Sequence, residues 1–89
     1  MQMEVRSPED LYPLVEDLII RLGREGDSRL SAILDHRMHK VAWTSAFELL
    51  EELQRVLGNE LPNEGELSPP TYSLLKQVVG AVDELLRAV

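Results

Sequence analysis

Cysteine is absent from this 89-residue chain, which excludes disulfides, thiol catalysis and thiolate metal sites at once. Aromatic residues are sparse at 4%, and two of the four, Trp43 and Tyr72, read as partly buried anchors between helices. Basic residues are few as well. Nine Lys and Arg against sixteen acids leave a formal charge of −7, which repels phosphate backbones, argues against nucleic acid as a direct ligand and suits a basic partner. The same charge also serves simple solubility. No uncharged apolar run approaches the ~18–20 residues of a membrane span. The first ten residues, Met-Gln-Met-Glu-Val-Arg-Ser-Pro-Glu-Asp, lack the apolar core of a signal peptide, so a soluble, cytoplasmic protein is expected. No stretch alternates with period two long enough to argue a strand, and neither repeats nor low-complexity tracts occur.

What is present is helical periodicity with clear punctuation. Forty-four per cent of the residues are apolar, too many for a disordered chain, and the length suits one domain over 1–89. The spacing predicts an all-α, compact four-helix protein with helices over about 10–24, 28–40, 45–58 and 69–88. In the first, Asp10 is read as the cap, because a helix begun at Ser7 would set Pro13 against the carbonyl of Glu9. Leu11, Val15, Leu18 and Leu22 form its stripe, and Gly23 and Gly26 end it. Asp27 caps a short second helix carrying Leu30, Ile33, Leu34 and Met38, with Val41 a further candidate. Ser45 and Glu48 have capping-box spacing at the head of the third, where Ala46, Leu49, Leu50, Leu53, Val56 and Leu57 make one apolar face. Ser68 is read as the cap of the fourth, followed by Pro69 and Pro70 in the first turn and a seam of Leu75, Val78, Val82, Leu85 and Val89. Gly80 inside that helix is either where another helix approaches closely or a plain weak spot.

The chemistry-bearing residues are weighed against plainer roles. His36 and His39 beside Asp35 have a spacing at which two imidazoles can face one metal, but two ligands do not make a site. Their plainer role, with Arg37 and Lys40, is to complement the negative end of the second helix. Asp27-Ser28 resembles the phosphopantetheine serine of acyl carrier proteins, but Arg29 follows where that family has leucine, so an ordinary N-cap is preferred. No nucleophile elbow or other catalytic signature surrounds the serines and histidines. Glu51 and Glu52 are read as pointing to different sides of their helix, which argues against a shared acid–base role. No enzyme activity, metal or cofactor is expected.

The constellation that remains is acidic. Residues 48–66 hold Glu48, Glu51, Glu52, Glu60, Glu64 and Glu66 against the single Arg55. If the loop after the third helix folds back, these carboxylates form one negative docking patch, with Tyr72 a further candidate contact. A solvated helix face with a polar loop gives the same sequence.

Trp43, Ala46, Glu48, Leu49 and Leu50 resemble the central helix of the MafI-type immunity proteins of bacterial polymorphic toxin systems. Ser68, Tyr72, Leu74, Leu75, Lys76 and Val78 resemble that family's last helix, which opens with a serine and carries a tyrosine four residues on. A Leu-rich helix and a short second helix precede them in the same order. The resemblance implies an immunity protein that binds and neutralises a cognate toxin, with a basic nuclease-type toxin the natural fit to an acidic surface. The alternative is a small regulatory or scaffold module acting through homodimerisation of its C-terminal helix.

Overall fold

The computed structural model describes residues 5–88, except for the side chain of Glu64; Val89, placed on the last apolar seam by its spacing, lies outside them. Four helices follow one another: α1 (Pro8–Arg24), α2 (Ser28–His39), α3 (Ala46–Asn59) and α4 (Pro69–Arg87). One 3-10 turn, Glu64–Glu66, interrupts the connection between α3 and α4. The expected all-α, four-helix architecture is what the chain adopts, with no strand among the described residues.

The helices close on themselves as a ring. α1 packs on α2 and α4, and α3 packs on α2 and α4. Contacts between Glu16 and His39, and between Gly23 and Ser31, run α1 and α2 antiparallel. Arg37 on Glu52 and Arg29 on Glu60 do the same for α2 and α3. The radius of gyration is 12.3 Å, close to the roughly 12 Å expected of a compact chain this long. The core is almost wholly aliphatic: Leu11, Val15, Leu18, Leu22, Leu30, Leu34, Leu53, Leu75 and Val82 are shut off from solvent. In the loop, Pro62 and Leu67 are buried and pin it to the bundle.

Three local expectations are corrected. α1 starts at Pro8 rather than Asp10, with Ser7 extended at the N-cap and proline at the first helical position. Asp10 instead accepts the Arg6 backbone N–H at 3.0 Å. Pro13 lies inside the helix on its exposed side, although it has no N–H to give the Glu9 carbonyl, and the buried Leu11 and Val15 hold the register on either side of it. Ser68 occupies the N-cap of α4 but makes no side-chain capping bond. A cap serine bonds the N–H of the second or third helical residue, and Pro70, at the second, has none. Gly80 has nothing within 4 Å of the Cβ it lacks, so no close helix approach explains it. The close approach is at Gly23, where a Cβ would meet the Ser31 hydroxyl at 3.4 Å. That hydroxyl donates to the Ile19 carbonyl at 2.8 Å and stitches α2 to α1.

Of the other two caps, that of α2 forms as its spacing predicts, and at the head of α3 the serine half of the expected capping box forms without a returning bond from the Glu48 side chain. Asp27 accepts from the Leu30 N–H, and Ser45 from the Glu48 N–H.

A candidate protein-binding face

Trp43 organises the end of the bundle where α2 hands over to α3. Its indole N–H donates to the Arg37 carbonyl at 2.7 Å, satisfying one of the carbonyls that the end of α2 leaves without an intrahelical partner. This fixes the ring as a wall between two concavities. On one side lies an open groove of about 800 Å³, lined by Tyr12, Pro13, Met38, Ala46 and Leu49 and rimmed by Glu9, Glu16 and His39. On the other is a shallower depression of about 480 Å³, lined by Glu48, Glu51, Glu52 and Arg55.

The electrostatics of the two concavities differ. Glu52 takes both nearby arginines: Arg55 donates to it at 2.5 Å and Arg37 at 3.0 Å. The Arg55 hydrogen bond, more than that of Arg37, holds the Glu52 carboxyl below the usual glutamate range. Glu48 and Glu51 are exposed and have no ion-pair partner among the described residues. In the groove, the His39 imidazole lies 2.6 Å from a Glu16 oxygen and 3.9 Å from Asp35. Burial, assisted by the charge of Glu9, pushes the Tyr12 hydroxyl above its ordinary pKa. Phe47, 39% exposed, is among the few large apolar side chains in the open and stands one residue along from Ala46.

The structure therefore divides the expected acidic patch. Glu48, Glu51 and Glu52 come together beside Trp43, and Glu51 and Glu52, though on different sides of the helix, border one shallow depression. Neighbouring residues on a helix are about 100° apart, and a wide, shallow concavity spans that arc. Glu60, just past the end of α3, is about 12–18 Å from the three by helical rise and is engaged by Arg29 at 3.3 Å. Glu66 closes a local capping box with Asn63 and borders Glu25, Gly26 and Asp27 near the turn between α1 and α2. The side chain of Glu64 lies outside what is described. Tyr72 is half-buried on the core, with the Lys76 ammonium 5.9 Å from its ring centre.

Sequence reasoning misses two things. One is the groove, whose signal is Met38 and Trp43 flanking the end of a helix. The other is Glu25, which in sequence reads only as part of a turn. Its carboxylate accepts the Ser68 N–H at 2.7 Å and the Ser68 hydroxyl at 2.9 Å, and it also bonds the Thr71 hydroxyl. The Ser68 N–H, then the Thr71 hydroxyl, pull the Glu25 carboxyl below its usual range. Glu25, just past the end of α1, thus ties down the N-cap residue of α4 through its N–H and the hydroxyls of Ser68 and Thr71.

Among the described residues no three His, Asp or Glu side chains gather as a metal site, and no helix is long and apolar enough to cross a membrane. No protein-family model, curated protein or solved structure matches the chain at a level that marks kinship.

Proposed function

We propose that this chain is an immunity protein: a stoichiometric inhibitor that binds a basic toxin, of nuclease type, in the cytoplasm of the producing cell and holds it inactive. The observation that carries the reading is the unpaired pair Glu48 and Glu51 beside the Trp43 anchor. Interfaces that are both fast and tight combine uncompensated charge at the rim with a buried aromatic or apolar centre. The same residues lie in the segment that resembles the central helix of MafI-type immunity proteins. Glu52 is set apart from the binding carboxylates, since its charge is already spent on Arg37 and Arg55.

The test is association with the protein encoded beside this chain in its genome. A large secreted protein with a basic C-terminal domain is expected there. Binding should be one-to-one and salt-sensitive. Glu48→Lys with Glu51→Lys should slow association by about tenfold or more at low salt, the lower range of electrostatic steering. An unchanged association rate removes this face from the function.

The alternative, self-association through α4, draws less support. α4 buries Thr71, Leu75, Val78 and Val82, and packs Leu74, Val79, Leu85 and Leu86 on the same core. The large exposed apolar residues, Ile20, Phe47 and Leu61, lie elsewhere.

A further inference from the structure

Taking the reading above as a binder of a basic protein, we propose that the groove between α1 and the start of α3 is the seat for a basic amphipathic helix of that partner. Its apolar side chains would lie on Tyr12, Met38, Trp43 and Leu49, and its lysines or arginines over Glu9, Glu16, Glu48 and Glu51.

The groove exists because α2 is shorter than α1. α2 stops at His39, against Glu16, whereas α1 continues back to Pro8, eight residues or about 12 Å further. The connection from Lys40 to Ser45 is not helical and lines the groove with Trp43, Thr44 and Ser45, and α3 begins only at Ala46. The first turns of α1 are thus left without the neighbour that α2 gives the rest of the helix. The space is as large as sites that hold sizeable ligands, but it is open along its length, which suits the flank of an element.

Helix rather than strand follows from backbone hydrogen bonding. An extended segment gains its affinity by adding to a sheet edge, and there is no strand among the described residues. A helix satisfies its own backbone and presents only side chains, at the i, i+3, i+4 and i+7 spacing that a groove between helices accepts. The charge of the occupant follows from the rim. Arg37 and Arg55 are both committed to Glu52, so an acidic helix would meet Glu9 and Glu16 at the groove, and Glu48 and Glu51 past Trp43, without a nearby arginine to offset them. A basic helix would neutralise them.

Trp43 is the single tryptophan and lines the groove, so its emission reports occupancy directly. The probe is a synthetic Leu–Lys peptide of about 14–18 residues, long enough to hold a helix, with leucines at helical spacing. Controls are the same composition with Leu and Lys alternating, and a Leu–Glu peptide at helical spacing. The helical Leu–Lys peptide is expected to shift Trp43 emission saturably. Glu9→Lys or Ala46→Arg, both at exposed positions, should weaken that binding about tenfold. Glu84→Lys on the exposed face of α4 should change it by less than about twofold, with circular dichroism verifying that each variant is folded. Equal response to either control peptide, or equal loss with Glu84→Lys, overturns the proposal in favour of diffuse attraction to net charge. A concentration-dependent shift in the protein alone, abolished by Ala46→Arg, overturns it in favour of a second copy. With the neighbour-encoded toxin, loss of binding in the Glu48/Glu51 variant but not in Ala46→Arg rejects the helix seat and leaves the immunity reading standing. No loss in either variant removes this whole face from the interface, and no binding of the toxin by the parent protein rejects the immunity reading itself.

Discussion

Gly80 is a weak point in α4. It sits exposed in the middle of a 19-residue helix, its φ is not positive, and a methyl group added there would meet nothing within 4 Å. Glycine there gives up backbone entropy on folding without a compensating contact. Gly80→Ala should raise unfolding stability by about 1 kcal/mol, read as a shift in the urea midpoint at unchanged slope. Gly26 is the opposite case, since its φ of 92° is a conformation that side chains resist, and Gly26→Ala should lower the midpoint. The two glycines look alike in sequence. What separates them is whether the backbone turns left-handed, and only the turn after α1 requires that. The core was more legible: Leu11, Val15, Leu18 and Leu22 recur by four, three and four, and all are buried. Leu18→Ala should cost about 2–5 kcal/mol by thermal or chemical denaturation.

At the scale of elements, two helix ends are finished by side chains from other parts of the chain. Trp43 bonds the end of α2, and Glu25 bonds the start of α4 across 43 residues of sequence. Neither was legible in the sequence, because capping rules look a few residues away and these bonds depend on how the helices assemble. Local caps were legible, as Asp27 and Ser45 demonstrate. The Glu25 bond has a pH signature. Its carboxyl is held below the ordinary range in the folded state, so the unfolded chain takes up the proton first as pH falls. The stability it contributes is complete at neutral pH, drains away below about pH 5, and is gone once the folded-state carboxyl also protonates. Glu52, lowered by Arg55 and Arg37, acts in the same direction. Glu25→Gln should therefore flatten the acid limb of a stability–pH curve, and Glu25→Gln with Glu52→Gln should flatten it further. An acid limb identical to that of the parent would show that Glu25 leaves α4 unsupported.

For the whole molecule, an acidic surface was plain from composition, but its division was not. Six glutamates between residues 48 and 66 read as one tract in sequence. Folding sends three of them to one end of α3 and sends Glu60 and Glu66 toward the turn between α1 and α2. A 14-residue helix is longer than the Debye length of roughly 8–10 Å at ordinary salt, so the two groups act as separate fields. Glu60→Lys should accordingly leave the association rate with a basic partner within about twofold at physiological salt, whereas the Glu48/Glu51 reversals slow it. Stopped-flow measurements on both variants check this.

Hydrogen bonding is also unevenly distributed along the bundle. Where α1 gives way to α2 and α4 begins, Glu25, Ser68 and Thr71 clasp the chain, and Arg29 holds Glu60 close by. At the opposite end, between the first turns of α1 and the start of α3, the open groove takes the place of such a clasp. Amide exchange should thus invade the molecule from the groove end, leaving the clasped end protected longest. A ligand seated in the groove would then act as the missing fastener, slowing exchange most in the turns it touches.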